Sequence, residues 1–169
     1  MKKIFTFILL SIMTLNMSTV SFASEVHTLS ERPPISSEIV PYGTSAPSKN
    51  SIHDLSKSAY NYNVESMGAA LYTDKRFKNA SSIYVDINDF AFKGSAAELA
   101  PKHKETITIT LYNSKGKKVS SKSVTFLVGV DTWDSVSFKD LDENEQYYIE
   151  FSSSSIGNKW SFYGSVTGE

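Results

Sequence analysis

Apolar and polar residues alternate in short runs from Ser58 onward, and this alternation constrains the fold more than any other feature of the chain. The clearest runs are 60–64, 83–87 and 106–112. A period of two places successive side chains on opposite faces of a strand, so each run predicts a strand with one buried face. Further strands are predicted at 69–73, 119–126, 136–138, 147–151 and 160–166, which gives about eight.

Turns rather than helices connect these runs. Residues 113–117 read N-S-K-G-K, and Gly116 can adopt the positive φ that a tight hairpin requires. Only residues 95–99 could form a helical turn, and Pro101 soon limits it. Short alternating strands without helices predict an all-β, antiparallel two-sheet sandwich, with a jelly roll as the first topology and an open barrel as the second.

The inward positions of these strands predict the core. An error of one residue in the parity of a strand would invert its assignment. The predicted core residues are Tyr60, Tyr62, Ile83, Val85, Ile107, Ile109, Leu111, Phe126, Val136, Phe138, Ile149, Phe151, Trp160 and Phe162.

The first 56 residues have a different character from the strand region. Residues 1–23 contain two lysines, an apolar run and a final small-x-small motif, which together predict a secretory signal peptide. Its apolar run is shorter than the roughly 20 residues of a transmembrane helix. Residues 24–56 are rich in Ser and Pro and predict an extended lead-in, and residues 57–169 form the predicted β-sandwich domain. We therefore expect a secreted, extracellular or cell-surface protein without a transmembrane span.

Composition excludes several classes of function. The chain has no cysteine, which removes disulfides, thiolate nucleophiles and thiolate metal sites. Without the two lysines of the leader it carries 15 basic and 18 acidic residues, a net charge of −3. This balance argues against nucleic acid as a partner, because phosphate binding needs clustered positive charge. The Lys-, Asn- and Ser-rich body behind an export signal suggests a bacterial product.

No residue cluster predicts catalysis or a cofactor. The histidines are His27, His53 and His103, and none lies in a metal-binding spacing or follows a nucleophile motif. We expect all three to be solvated loop residues. Asp86 and Asp89 are weak calcium candidates, because carboxylates are calcium ligands, but the favoured interpretation is structural turn chemistry. Structural turn chemistry is also the favoured interpretation of six other acidic residues, and acid–base catalysis is the alternative. These residues are Asp131, Asp134, Asp140, Asp142, Glu143 and Glu145.

Several aromatic residues share strand parity with polar neighbours and are predicted on outer sheet faces. Flat rings beside hydroxyl and carboxylate groups suit the binding of sugar rings. The structural alternative is cross-strand pairing, in which tyrosines simply cover the sheet. The candidate ligand-binding residues are Trp133, Tyr112, Tyr148, Tyr84 and Tyr163.

The segment 106–151 resembles a known kind of secreted domain. The run ITITLYNSKGKKV at 107–119 is followed by VSFKDL at 136–141 and YYIEF at 147–151. This order is similar to the prepeptidase C-terminal-type sandwich domains attached to secreted bacterial peptidases, although Asn144 or Glu145 stands where that pattern commonly has glycine. The resemblance implies a secreted accessory or binding β-sandwich with no catalytic residues.

The sequence thus predicts a non-enzymatic binding module that acts at the bacterial cell surface. Envelope glycan is the leading partner, and a surface protein is the alternative, bound at an exposed strand edge. A toxin-like protein that associates with membranes through aromatic loops is a third possibility, and an acid-dependent hydrolase is the least favoured. The oligomeric state does not follow from the sequence.

Overall fold

The described part of the chain is built from β-strands alone. The structure is a computed structural model that describes residues 26–29, 45–94, 99–100, 102–155 and 157–169. These residues form eleven strands and no helix, which confirms the predicted all-β class. The strands are β1 (Val26–Leu29), β2 (Ile52–Asp54), β3 (Tyr60–Met67), β4 (Ala70–Tyr72), β5 (Arg76–Lys78), β6 (Ile83–Phe92), β7 (Lys104–Asn113), β8 (Lys118–Leu127), β9 (Trp133–Phe138), β10 (Tyr147–Ser153) and β11 (Trp160–Gly168).

The strands form two sheets, as predicted. The front sheet has the order β1-β3-β11-β6-β9, and the back sheet has the order β2-β5-β10-β7-β8, with β4 also paired to β10. All pairs are antiparallel except β1 with β3 and β2 with β5. The predicted hairpin joins β7 to β8, and Gly116 in its turn has a φ of 78°. Of the segment 95–99, for which the sequence allows a helical turn, residues 95–98 lie outside the described residues.

Two strands come from the region predicted as an extended lead-in. β1 adds to the edge of the front sheet beside β3, and β2 adds to the edge of the back sheet beside β5. Arg76 fastens the residues before β2, since its Nε donates to the carbonyl oxygen of Pro47 at 3.0 Å. Its Nη1 donates to the carbonyl oxygen of Ser114 at 2.9 Å, and the side chain is buried. Residues 45–54 are therefore packed onto the sandwich.

An aromatic-rich core lies between the sheets. Every predicted core residue is buried except Val136, which is partly buried and packs against the core. The ring of Phe90 stacks on Phe126 of the back sheet at 4.2 Å and on Trp160 of its own sheet at 5.2 Å. Stacked and edge-on ring pairs add to the stability gained by burying apolar area. The core thus joins the two sheets through their inner faces, and their outer faces are on the surface of the sandwich.

Candidate functional site

A row of four residues crosses the outer face of the front sheet. Trp133 on β9 lies opposite Asn88 on β6, and Asn88 lies opposite Tyr163 on β11. Tyr163 in turn lies opposite Asn63 on β3. Directly opposed residues point to the same face of a sheet, so these four side chains line up across the strands. We call Trp133, Asn88, Tyr163 and Asn63 the ring row.

The two aromatic members of the ring row are open to solvent. Trp133 is 70% exposed and Tyr163 is 51% exposed. They lie on alternate strands, and a strand spacing of about 4.8 Å places them about 10 Å apart. The side-chain amides of Asn88 and Asn63 form no hydrogen bond to other described residues. The row therefore offers two flat apolar surfaces, and the amides beside them have no hydrogen-bond partner in the part of the chain that the structure describes.

A β-bulge lies next to the ring row. The pairing of β6 with β11 shifts register between Ser161 and Tyr163. Asp89 lies in this stretch of β6 with a φ of 53°, in the left-handed region that Asp adopts more often than most residues other than glycine. Bulges redirect side chains and often accompany functional sites. The exposed carboxylate of Asp89 makes no hydrogen bond or ion pair with the described residues.

Three depressions adjoin the ring row. One, of about 540 Å³, includes Asn63 and Tyr163, and a second, of about 370 Å³, includes Trp133. The third, of about 570 Å³, shares Asp89 with the first and Thr132 with the second. We call this third depression the end pocket. The three depressions together extend the surface of the ring row around one end of the sandwich.

Tyr84, a further predicted ligand-binding residue, lies on the same face at a different level. Its hydroxyl donates to Oε2 of Glu169 at 3.0 Å, and this hydrogen bond raises the pKa of Tyr84. Asp86, on the same strand, accepts a hydrogen bond from Ser165 Oγ at 3.0 Å. Both polar groups are thus already bonded within the sheet, unlike the amides of the ring row.

The other two predicted residues, Tyr112 and Tyr148, lie on the back sheet. Their rings stack at 5.2 Å, and Tyr148 is only 4% exposed because Tyr112 and the guanidinium of Arg76 cover it. The hydroxyl of Tyr112 donates to Oε2 of Glu150 at 2.6 Å. Burial and the Glu150 hydrogen bond raise the pKa of Tyr112. The structure therefore brings Trp133, Tyr163 and Tyr84 onto one face and places Tyr112 and Tyr148 on the opposite one.

A buried carboxylate is the polar feature that the sequence interpretation missed. Glu105 on β7 is fully buried, and its Oε1 accepts hydrogen bonds from Ser153 Oγ at 2.7 Å and from the backbone nitrogen of Ser154 at 2.9 Å. Ser155 Oγ and His103 Nε2 bond to Oε2, the latter at 3.3 Å. Burial raises the pKa of Glu105, but the serine and histidine hydrogen bonds outweigh it and hold the pKa below its ordinary value. A signal for this site was present, because Glu105 shares parity with core residues of the same strand.

His53 and His103 differ from the solvated loop residues that the sequence predicts. His103 is half-buried, stacks on Trp160 at 5.8 Å and bonds to Glu105. His53 lies in β2, and its Nε2 donates to the carbonyl oxygen of Ser58 at 2.9 Å. That nitrogen cannot also accept the proton of the nearby Ser58 hydroxyl, so the pair does not form a nucleophile with its base. In the Glu105 cluster the serine hydroxyls bond to the carboxylate and are not activated by histidine. His27 lies in β1, and its side chain is outside the description.

Within the described ranges, no three His, Cys, Asp or Glu side chains come together as a possible metal site. The weak calcium candidates Asp86 and Asp89 both lie on β6, where Asp86 is bonded to Ser165 and Asp89 occupies the bulge. No helix long and apolar enough to cross a bilayer occurs in the described part of the chain.

No protein-family model and no curated protein matches this chain. The resemblance of residues 106–151 to prepeptidase C-terminal-type domains therefore stays a prediction. The candidate site depends on the geometry of the front sheet.

Proposed function

We propose that this chain is a secreted, non-catalytic bacterial β-sandwich that binds glycan of the cell envelope on the outer face of its front sheet. The ring row carries the proposal, because it places the exposed rings of Trp133 and Tyr163 on one face, and the amide of Asn88 between them has no hydrogen-bond partner among the described residues. The leader-like sequence of residues 1–23 supports export.

The chemistry of the ring row suits a sugar chain. The C–H faces of pyranose rings pack on aromatic rings, and the hydroxyls at their edges hydrogen-bond to amides. A spacing of about 10 Å between Trp133 and Tyr163 matches alternate units of an extended chain. The paired strands fix the backbone positions of Trp133 and Tyr163 before the ligand arrives, which lowers the entropy cost of binding.

The back sheet offers a poorer surface for the same ligand. Tyr148 is nearly inaccessible, and the hydroxyl of Tyr112 is bonded to Glu150. A ligand there would have to displace these interactions. Of the five predicted ligand-binding residues, we therefore propose Trp133 and Tyr163 as the contact residues and assign Tyr112 and Tyr148 a structural role.

One observation favours a second candidate function, contact with a membrane or an apolar protein surface. Val130, in the connection between β8 and β9, is 67% exposed and lies with Trp133 around the same depression. Two exposed apolar side chains at one tip suit insertion into the interfacial region of a bilayer. Val130→Asp separates the candidates, because it would abolish insertion and leave the stacking surface of Tyr163 intact.

The test is retention of the purified protein on isolated cell wall and on liposomes in parallel. We expect retention on wall, with Trp133→Ala and Tyr163→Ala each weakening binding about tenfold, as loss of a central aromatic contact does. Tyr112→Ala is the matched control, since it removes one ring from the other sheet. Wall retention that is unaffected by both front-sheet variants, or retention on liposomes alone that Val130→Asp abolishes, would overturn the proposal.

A further inference from the structure

We infer that the end pocket selects N-acetylated amino sugars within the glycan. This inference rests on the proposed glycan binding and names its specificity. The inference depends on an apolar pocket wall directly beside the ring row. The polar groups of its described lining residues are the carboxylate of Asp89, the ammonium group of Lys102, the hydroxyl of Thr132 and the imidazole of His103. An acetamido group presents a methyl, an N–H donor and a carbonyl acceptor, and the pocket offers a partner for each.

The end pocket is continuous with the ring row along two strands. Asp89 follows Asn88 on β6, and Thr132 precedes Trp133 at the start of β9. The backbone nitrogen of Phe90 donates to the carbonyl oxygen of Thr132 at 3.1 Å, so the two segments stay together beyond the last paired residues of the strands. A sugar that stacks on Trp133 therefore has its neighbouring substituents at the mouth of the pocket.

The wall of the end pocket is apolar and firmly held. Phe90 and Phe92 line it on one side, and Val128 lines it on another. Both rings pack against Trp160, with centroids at 5.2 and 5.3 Å. A methyl group gains from contact with such a wall, whereas the hydroxyl of an unmodified sugar would lose its hydrogen bonds to water there.

The rim of the end pocket supplies the polar partners. The Asp89 carboxylate, free of bonds to other described residues, accepts the acetamide N–H. The ammonium group of Lys102 or the hydroxyl of Thr132 donates to the acetamide carbonyl. Lys102, like Asp89, has a left-handed backbone, with a φ of 59°.

The experiment compares tetrasaccharides by calorimetry with the complete secreted protein. Chitotetraose and cellotetraose have the same length and linkage and differ only in the acetamido group. We expect chitotetraose to bind about tenfold more tightly, the effect of one well-placed polar contact. Peptidoglycan glycan strands of equal length are tested in parallel, to distinguish a ligand from the cell wall from a chitin-like ligand. If chitotetraose or the peptidoglycan strands bind more tightly than cellotetraose, the result supports the inference.

Asp89→Gly is the decisive variant, because glycine tolerates the left-handed backbone while the carboxylate is lost. In this variant we expect chitotetraose and cellotetraose to bind with about equal affinity, because the affinity for chitotetraose falls while that for cellotetraose stays unchanged. Asp89→Asn keeps the side-chain shape and should retain part of the preference. Glu65→Gln, in the depression beside Tyr163, is the matched control and should retain all of it.

Four results would contradict the inference, and they are distinguishable from one another. Equal affinity for the two tetrasaccharides, lost on Trp133→Ala, would refute selection by the end pocket and leave glycan binding intact. Absence of binding by any tetrasaccharide and by isolated wall would refute both. A preference that persists in Asp89→Gly, or tighter binding of the de-N-acetylated tetrasaccharide, would also contradict the assigned role of Asp89.

Discussion

Replacement of Glu105 by Gln should destabilise the protein, although it changes little in size. The carboxylate is fully buried and accepts hydrogen bonds from three serines and from His103 Nε2. These bonds hold the loop after β10 in place. Ser153 Oγ, one of the donors to Glu105, also accepts a hydrogen bond from the indole nitrogen of Trp160 at 3.2 Å. A glutamine has no charge, and its side-chain NH₂ group would face the serine and histidine groups, which are themselves donors.

The expected loss follows from the number and type of these bonds. Hydrogen bonds to a charged group contribute about 1.5–3 kcal/mol each, and a buried donor left without a partner costs about 1–3 kcal/mol. The bonds are not additive, and the oxygen of Gln retains some of them, so we expect a loss of about 3 kcal/mol in the free energy of unfolding. For a domain of this size that corresponds to a fall of roughly 10 °C in Tm.

Urea and thermal unfolding followed by circular dichroism measure this loss, with Glu143→Gln, an exposed site, as the control. The folded pKa of Glu105 is lowered, so its contribution is present above the unfolded pKa and is lost as pH falls through the folded pKa. The stability gap between wild type and Glu105→Gln should therefore be full at neutral pH and shrink in acid. A gap below about 0.5 kcal/mol at pH 7, or one that grows in acid, would refute the reasoning.

Other substitutions test the packing of the sheets. Gly164→Ala should lower the free energy of unfolding by about 3 kcal/mol or more, because a Cβ there would lie 1.8 Å from the backbone oxygen of Asp86; an unchanged urea midpoint would contradict this. Arg76→Met should cost about 2 kcal/mol and speed proteolysis near Pro47, since it removes the hydrogen bond that holds that segment; unaltered digestion would argue against it. Trp133→Ala should change stability by less than about 0.5 kcal/mol, because the ring is 70% exposed, and a large fall in Tm would assign it a structural role.

The alternation of apolar and polar residues was enough to predict the long strands and part of the core. Met67, Phe77 and Phe90 are buried core residues that are absent from the predicted set. The alternation could not reveal β1, β2 or β5, which have three or four residues each and are too short to show a period. Their pairing depends on tertiary contacts such as the buried guanidinium of Arg76, which reaches Pro47 and Ser114 from distant parts of the chain.

The candidate site was only partly predictable for a related reason. The alternation predicts which face of its own strand a residue lies on, but it does not predict the order of the strands in a sheet. It therefore could not show that Trp133 and Tyr112 belong to different sheets. The ring row exists because β9, β6 and β11 are neighbours in space. The parity of Glu105 marked it as inward-facing, yet its partners at Ser153 and beyond are nearly 50 positions away.

The most direct test of the ring row is a nuclear magnetic resonance titration of the isotope-labelled protein with the glycan that it retains. The account predicts that amide and side-chain shifts change around Trp133, Asn88, Tyr163 and Asn63, while Tyr112 and Tyr148 on the back sheet stay unchanged. Shift changes confined to the back sheet, or to the tip at Val130, would contradict it.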